Sequence, residues 1–459
     1  MTRIASPGPL RRAEAPPGGA DAAPALPDSL MPFCQAPREF LLQTALRGPD
    51  ARFRMNDETF LVLSDPASFH AVLNGPLEDF EKGAMIEVPR SVWRNGVISV
   101  DGEEWTRQHA MLAPVFARRR IRQLEPLIAG LAARLAEGWA RLPEGEPVDI
   151  LAAANRLAFE VVATGLLGIT DRRLAEGLFN ALGELDRAES IRLNYLLKRL
   201  GPEAQGGFGR SAHAEAIERM DRLTGAVAEA RLAQGGPPDD LIGAVMANEA
   251  FAAFGPDRKR AFLADQVATM LAAGYVTTGE SLFWTLYLLA RHPDAQARAG
   301  AEAAEAAGGG AVPVDAPPFL TAVFNESLRL YPPVWFIGRV ARRDVRIGEI
   351  DIAAGVRVVC SPYVLHRMPA LWPCSEAYRP ERFLPGASPA VAPRAFIPFG
   401  TGMRACLGRG LALMEMSAVA CATLARFRVE LATDAEPSPA AAFSTHPREP
   451  VLFRLKPLA

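Results

Sequence analysis

The most informative stretch of the chain reads Phe399-Gly400-Thr401-Gly402-Met403-Arg404-Ala405-Cys406-Leu407-Gly408. It follows the pattern F-x-x-G-x-R-x-C-x-G, in which a single cysteine stands in a glycine-rich turn. A loop that offers backbone N–H groups to the sulfur, followed by the start of a helix, favours the thiolate form of a cysteine. The thiolate can bind a metal ion, whereas the simpler alternative is a buried structural cysteine. Five fixed positions among ten favour the metal-binding interpretation.

Each fixed position has a physical role if Cys406 holds a haem iron. The thiolate pushes electron density onto the iron, and Phe399 covers the sulfur and helps to exclude water. Gly402 lets the backbone turn tightly, and Gly408 lets the following helix lie close under the macrocycle. Arg404 can pair with a haem propionate. The stretch resembles the haem-binding loop of the cytochrome P450 family, and this resemblance implies haem b with Cys406 as the axial ligand.

The composition is that of a large globular protein. The chain has 459 residues, of which 49% are hydrophobic, and 50 basic residues nearly balance 52 acidic ones. This balance gives no indication of nucleic-acid binding. The five cysteines are scattered along the chain without a C-x-x-C pair, which argues against a zinc site and suits a reducing cytosol.

The chain contains no apolar run of the roughly 18 residues that a membrane span needs. The most apolar stretch, residues 267–290, is interrupted by two glycines and by Glu280. Residues 1–28 are rich in proline, alanine and glycine, so we expect a disordered leader rather than a targeting segment. We expect residues 29–459 to form one haem-thiolate monooxygenase domain, soluble, cytoplasmic and of the bacterial type.

The periodicity predicts a mainly α-helical fold with a small β-rich region. Residues 122–139 and 263–292 have apolar residues at helical spacing, and Pro293 ends the second of these helices. Short β-rich runs occur at residues 60–63 and 356–359, and near the end of the chain at 451–455. The resemblance identifies this arrangement as the cytochrome P450 fold, a single large haem domain.

The long helix contains Ala273-Gly274-Tyr275-Val276-Thr277-Thr278. In the family this place normally reads A/G-G-x-D/E-T-T and lies across the distal face of the haem. A glycine beside a threonine permits a local bulge in the helix. By resemblance, Thr277 matches the alcohol that helps to deliver protons. The alternative is that Thr277 and Thr278 only hydrogen-bond to carbonyls one turn earlier.

Val276 stands where the family has an acid. Activation of O2 needs protons, and a valine cannot relay them. Glu280 lies almost one turn after Thr277 and is a candidate substitute, as are ordered water and a polar group on the substrate. We hypothesise that proton delivery is rerouted, and Val276→Glu tests this through the product formed per reducing equivalent. A second hypothesis is a reaction with less proton traffic, such as phenol coupling, or the use of peroxide.

Two further motifs match the scaffold of the family. Glu326-Ser327-Leu328-Arg329 is an E-x-x-R motif, whose ends face the same side of a helix. By resemblance, Glu326 and Arg329 form a structural triad with Arg382. We predict that protein with Glu326→Ala cannot retain haem.

Several residues match those that hold the haem propionates. Trp105-Thr106-Arg107-Gln108-His109 follows W-x-x-x-R, except that His109 replaces the usual arginine. Trp105 and His109 can both donate hydrogen bonds, and a histidine here makes haem retention mildly sensitive to pH. Arg339 matches a further arginine of this set, together with Arg404.

Two electrons must come from a separate protein, because the chain has no dinucleotide fingerprint. The resemblance implies a small ferredoxin or flavodoxin, reduced by an NAD(P)H-dependent reductase. Arg118, Arg119, Arg120 and Arg122 could steer such an acidic donor, although a solvated charge run explains them equally well.

The segments that match the substrate pocket of the family are apolar. They favour a hydrophobic small molecule such as a terpenoid, a fatty acyl chain or a polyketide, but core packing explains these residues just as well. The pocket residues so predicted are Val97, Ile98, Ala273, Trp335, Phe336 and Phe443. Polar residues in the expected lid, residues 186–210, allow a polar end group on the substrate.

The sequence as a whole indicates a haem-thiolate monooxygenase that uses O2 and most readily hydroxylates its substrate. The alternatives are an oxidative-coupling or peroxide-using member of the family and a haem-binding sensor or carrier without turnover.

Overall fold

The computed structural model describes residues 28–55, 58–82, 94–196, 210–234, 240–308, 312–433, 436–440 and 444–458. For residues 186–196 and 210–213 it describes only the backbone. The predicted leader and the pocket residue Phe443 therefore lie outside the described residues. So do the side chains of the predicted lid.

Sixteen α-helices occur in the described part of the chain. They are α1 (Leu30–Gln35), α2 (Pro37–Ala45), α3 (Pro66–Asn74), α4 (Gly102–Leu112), α5 (Arg118–Arg122), α6 (Glu125–Ala140), α7 (Ile150–Glu160), α8 (Arg172–Leu196), α9 (Arg210–Gln234), α10 (Leu241–Met246), α11 (Glu249–Ala252), α12 (Pro256–Arg291), α13 (Pro293–Ala307), α14 (Pro318–Leu330), α15 (Pro362–Leu365) and α16 (Arg409–Leu424). A π-helical turn, Val161–Leu166, extends α7. The many helices confirm the predicted mainly α-helical class.

The central helix is α12, which is 36 residues or about 54 Å long. It begins at a proline, where the missing N–H is not needed, and ends immediately before Pro293. It therefore starts seven residues before the predicted 263 and ends where the sequence indicates. Almost every residue between 262 and 289 is buried, as expected for a helix that is apolar on all sides.

Two hydrophobic cores meet along α12. The first half of the helix, up to Tyr275, packs with α4, the π-helical turn and helices α8 to α10. The second half, from Leu282, packs with α6, α7, α13, α14 and α16. The segment between them, residues 277–281, belongs to neither cluster and contains both threonines, whereas Val276 packs against the first cluster.

The β structure consists of one five-stranded sheet and two hairpins. Strands β1 (Ala51–Met55), β2 (Glu58–Val62), β3 (Phe80–Glu81), β4 (Ile337–Ala341) and β7 (Arg357–Cys360) form one sheet in the order β1-β2-β7-β4-β3. Two hairpins are formed by β5 (Val345–Ile347) with β6 (Ile350–Ile352) and by β8 (Phe427–Leu431) with β9 (Phe453–Pro457).

The first two predicted strands are neighbours in this sheet. They correspond to β2 and β7, which pair in parallel with Phe60 opposite Arg357. The third prediction, 451–455, corresponds to β9, which begins two residues later. Within the described ranges, no helix combines the length and the apolar character needed to cross a bilayer.

Candidate active site

Cys406 lies in the turn that leads into α16. Its backbone N–H donates to the carbonyl oxygen of Phe399 at 2.9 Å, which closes the turn. The backbone N–H groups of Gly408 and Arg409 hydrogen-bond to the sulfur. Gly402 has a φ of +75°, and a Cβ there would lie 2.9 Å from the carbonyl oxygen of Leu73. A glycine is therefore needed where the cysteine loop passes the end of α3.

Burial and accessibility are combined at Cys406. Burial raises the pKa of its thiol, although the two N–H groups and the charge of Arg409 act in the opposite direction. The residue as a whole is nevertheless exposed. Protein thus surrounds a residue that is still accessible, as expected of a residue at the wall of a recess. A metal cation bound there would overcome the effect of burial and hold the sulfur as thiolate.

Basic side chains surround the partly buried carboxylate of Asp101, the N-cap residue of α4. Arg404 forms an ion pair with Asp101, and Arg339 and Lys82 are buried nearby, with electrostatic effects on one another. Burial opposes ionisation of Asp101, but the N–H of Lys82 and the guanidinium of Arg404 outweigh it and lower the carboxyl pKa.

This cluster carries an excess of positive charge. Among the described residues it contains three basic side chains against the single carboxylate of Asp101. One N–H-bearing nitrogen of Arg404, Nη1, is buried without a hydrogen-bond partner. Buried charge needs compensation, so the cluster fits a ligand that carries two carboxylates. The accessible sulfur and this cluster together fit an iron porphyrin with two propionates.

Lys82 is a member of this cluster that sequence reasoning missed. Its Nζ donates to the carbonyl oxygens of Val97, Ile98 and Val100 at 3.3, 2.6 and 2.8 Å. Burial, reinforced by Arg404, lowers the pKa of its ammonium group to about 7. An isolated lysine behind a short strand carries no sequence signal, because its partners become neighbours only in the fold.

Trp105 and His109 lie on the same face of α4, one turn apart. The guanidinium of Arg404 lies over the ring of Trp105 at 4.6 Å from its centroid, and the rings of Trp105 and His109 are 4.8 Å apart. Burial lowers the pKa of His109. The structure thus brings together the residues that were predicted to bind the propionates, with Lys82 and Asp101 added.

The middle of α12 presents an accessible face. Five residues are partly accessible although the flanking turns of the helix are buried; they are Ala272, Ala273, Gly274, Val276 and Thr277. An accessible stripe within a buried helix marks the wall of an internal cavity. Val276 and Thr277 both lie on this wall, whereas Thr278 is buried.

The hydrogen bonding of Thr277 and the backbone conformation at Gly274 differ in part from expectation. The Oγ1 of Thr277 donates to the carbonyl oxygen of Ala273 at 2.8 Å, which is the hydrogen bond foreseen in the alternative interpretation. The hydroxyl oxygen can still accept a hydrogen bond. The bulge predicted beside Gly274 is absent from α12, which is α-helical throughout. A Cβ at Gly274 would lie 2.6 Å from Val162 in the π-helical turn, so the glycine permits this close packing.

The predicted pocket residues do not all share one surface. Ala273 is on the accessible face of α12, and Val97 and Ile98 belong to the loop held by Lys82. Trp335 is 2% exposed and packs in the core beneath β1, β2 and β7, so it supports the sheet. Phe336 is partly buried, with its ring 4.5 Å from that of Trp335.

Glu326 and Arg329 form a fully buried ion pair. Nε and Nη2 of Arg329 donate to the two carboxylate oxygens of Glu326 at 2.7 and 2.8 Å, and both side chains are 0% exposed. Arg382 donates to Glu326 at a longer 3.4 Å. The structure therefore brings the three predicted residues into contact.

The arginines of α5 differ in their surroundings. Arg118 and Arg119 are exposed on a helix that packs against α16. Arg122 is instead engaged by Asp315 and Glu125. The charge available to a partner is therefore smaller than the sequence indicates.

Comparisons with known proteins agree with this geometry. The family model described as cytochrome P450 matches residues 39–453. Cyclooctatin synthase of Streptomyces melanosporofaciens is 27% identical over 416 residues, or 86% of each chain. Pentalenene oxygenase of Streptomyces avermitilis is 27% identical over 90% of this chain and 91% of its own.

A plant protein and a solved structure extend the similarity. Cytochrome P450 714D1 of Oryza sativa is 30% identical over 79% of this chain and 67% of its own. The crystal structure of the cytochrome P450DA heme domain superimposes with a TM-score of 0.76 at 25% identity, covering 92% of this chain and 94% of that one. The chain therefore belongs to the cytochrome P450 family and is an oxidoreductase of the monooxygenase type.

Proposed function

We propose that the protein holds haem b through Cys406 and hydroxylates a hydrophobic small molecule of the terpenoid class. The observation that carries this proposal is the accessible sulfur, which two backbone N–H groups contact, beside a buried cluster of three cations and one carboxylate. Within the family, two relatives are named for cyclooctatin and pentalenene, and they support a terpenoid over a fatty acyl or polyketide substrate.

Different groups would hold the iron-bound sulfur and the propionates of the cofactor. The N–H groups of Gly408 and Arg409 stabilise negative charge on the sulfur. The guanidinium groups of Arg339 and Arg404 would bind the propionates, and the donors of Trp105 and His109 would complete this set. The ammonium group of Lys82 donates to three backbone carbonyl oxygens, so it would contribute positive charge rather than a direct hydrogen bond. When bound, the haem supplies the oxygen chemistry, for which the protein provides the ligand, the orientation and a dry site.

The accessible face of α12 serves the substrate side. Ala272, Ala273 and Val276 offer only hydrocarbon, so they favour apolar groups and exclude water near the reacting carbon. Thr277 contributes the one hydroxyl on this face, whose oxygen can accept a proton donor in the cavity. The face therefore favours an apolar substrate and carries one hydroxyl group that can take part in proton transfer.

Cys406→Ser tests the ligand. The reduced carbonyl complex of the unaltered protein is expected to show the red-shifted absorption that marks sulfur ligation, and the serine variant is expected to lose it. Cys374→Ser, which alters an exposed cysteine, is the matched control and should keep the spectrum. Retention of the sulfur-ligated spectrum by Cys406→Ser would exclude the proposed ligand.

A spectral titration tests the substrate class. Terpene hydrocarbons, fatty acids and polyketide lactones are added separately to the ferric protein, and the spin-state shift is recorded. We expect a saturable shift with terpenes and hydroxylated product on turnover. Tighter binding and turnover of another class would exclude the terpenoid proposal while leaving the monooxygenase intact.

Members of this family need a redox partner, and we propose a ferredoxin or flavodoxin that is reduced at the expense of NAD(P)H. Reversal of the exposed charges with Arg118→Glu and Arg119→Glu is expected to slow reduction, with an effect that shrinks as salt is added. Arg134→Glu, at an exposed site on α6, provides the control. Equal rates for all variants would remove α5 from the docking surface.

Oxidative coupling or the use of peroxide is a second candidate function. It is favoured by Val276, which lies on the accessible face of α12 where the family has an acid. Product formed with hydrogen peroxide in the absence of any reductase, at a rate comparable to the complete system, would favour this candidate.

A further inference from the structure

A buried carboxyl lies less than one turn beyond Thr277 on α12. Glu280 is only 1% exposed, and its Oε1 accepts a hydrogen bond from the Oγ of Ser444 at 2.7 Å. The Nδ1 of His446 is 3.7 Å from the same oxygen. Two groups that can exchange protons are thus adjacent behind the accessible face of α12.

His446 and Glu280 differ in accessibility and are followed by Thr277. The side chain of His446 is 25% exposed, whereas that of Glu280 is 1% exposed. Residues three apart on a helix have Cβ atoms about 5–6 Å apart, so Glu280 is a neighbour of Thr277 along α12. The three side chains therefore follow one another in the order His446, Glu280 and Thr277.

Tertiary contacts hold the histidine segment against α12. The Nε1 of Trp284, one turn after Glu280, donates to the carbonyl oxygen of Thr445 at 2.6 Å. The Oγ1 of Thr445 donates to the carbonyl oxygen of Pro332 at 2.8 Å. These bonds fix the residue between Ser444 and His446, so the approach of both to Glu280 is part of the packed structure.

We propose that His446 and Glu280 carry protons from solvent to the distal cavity and replace the acid that is absent at position 276. This inference rests on the proposed monooxygenase function. His446 gives the proton on Nδ1 to the carboxylate of Glu280, and the resulting carboxylic acid passes a proton to a water molecule beside Thr277. Glu280 returns to carboxylate, and His446 regains its proton from solvent, so that one proton moves inward and no group is consumed.

The surroundings of His446 suit a transfer role. Arg38 from α2 and Arg448 are the charged groups that face it besides Glu280. Burial, followed by Arg448 and Arg38, lowers the pKa of the imidazole. A protonated His446 therefore gives up its proton readily near neutral pH.

A positioning role for Glu280 is the competing explanation, because Ser444 follows a residue predicted to line the pocket. Glu280→Gln separates the two, since the amide oxygen can still accept from Ser444 but the side chain cannot carry a proton. Ser444→Ala removes the hydrogen bond to Glu280 but leaves a carboxyl group that can carry a proton. Glu415→Gln removes another buried carboxyl, on α16, and controls for the general effect of such a change.

The experiment compares the holoenzyme with these variants and with His446→Gln. We expect Glu280→Gln to lower the product formed per NAD(P)H consumed by at least about fivefold and to increase the solvent isotope effect, with unchanged substrate affinity. His446→Gln should cause a similar loss, Ser444→Ala a smaller one, and Glu415→Gln none. Addition of Val276→Glu to Glu280→Gln should restore the ratio.

A spectroscopic measurement is independent of turnover. In the resting ferric protein, the infrared band of the Glu280 carboxyl is identified by its disappearance in Glu280→Gln. The pH at which this band titrates should change when His446 is replaced by glutamine. An unchanged titration, or equal losses in Glu280→Gln and Ser444→Ala accompanied by weaker substrate binding, would overturn the relay. The carbonyl spectrum is recorded for every variant. If the variants show the spectrum of sulfur ligation but form as much product per NAD(P)H as the unaltered protein, the relay alone is refuted. If the unaltered protein itself lacks that spectrum, the proposed function is refuted.

Discussion

A buried and fully hydrogen-bonded arginine, Arg329, depends on the side chain of Glu326. Arg329 has five N–H donors, and all five are used. Two donate to Glu326 and three donate to the carbonyl oxygens of His366, Ser375 and Ala377. Glu326 also accepts from the backbone N–H of Arg379 at 2.9 Å.

The magnitude follows from the burial of the pair. Glu326→Ala leaves the guanidinium of Arg329 charged, fully buried and short of two partners. Breaking a buried ion pair in this way costs about 3–5 kcal/mol. A domain is typically stable by about 5–15 kcal/mol, so the loss is a large fraction of the total. We therefore expect poor haem retention as well as a lower free energy of unfolding.

Urea unfolding followed by circular dichroism and by Soret absorbance measures both effects. The matched control is Arg107→Ala, which breaks the E-x-x-R pair of Glu104 and Arg107 on α4, where both side chains are about one-third exposed. That change should lower stability by about 1 kcal/mol or less. If Glu326→Ala were as mild as this control and kept its haem, burial would not be the source of the predicted loss.

Three further changes test other parts of the structure. Burial raises the pKa of Asp265 to about 6 from 3.8, so the folded chain binds its proton more tightly and loses stability as pH rises through this range. Asp265→Asn should therefore raise the free energy of unfolding by about 1–3 kcal/mol at pH 7.5 and by less at pH 4.5, as measured in urea. Gly402→Ala should destabilise by about 2 kcal/mol because of its positive φ and the nearby backbone of α3, whereas Gly410→Ala, with open space around it, should not lower the thermal midpoint. If the cluster holds the haem propionates as proposed, Lys82→Met should speed haem transfer to apomyoglobin about tenfold, because one of the three basic side chains of the cluster is lost; transfer at the unaltered rate would remove Lys82 from the propionate site.

The residues predicted on the cofactor side of the site come from motifs that are local in the sequence. The loop around Cys406 and the E-x-x-R motif keep their partners within a few residues, so their geometry follows from short-range spacing. The family and the mainly α-helical fold are confirmed. The individual roles of the site residues remain predictions. The bulge at Gly274 was wrong, because the irregular turn occurs in the neighbouring segment 161–166.

Other features depend on residues that are distant in the chain. Lys82 holds a loop 15 to 18 residues away, and Glu280 meets Ser444 164 residues further on. No local pattern reports such neighbours, because side-chain burial and pairing arise when separate elements pack. The apolar character of Trp335 likewise does not say whether it lines a cavity or supports the sheet.

The amino-acid order alone was sufficient for the family and the helical class, since these depend on residue types at short, fixed spacings, and it predicts Cys406 as the haem ligand. Assembly of the chain settled which of the apolar and charged residues face the cavity and which are buried in the core. It also created the cluster of Lys82, Asp101, Arg339 and Arg404 and the contact between Glu280 and His446. The physical reason is that burial and electrostatic coupling depend on distances in space, which sequence separation does not encode.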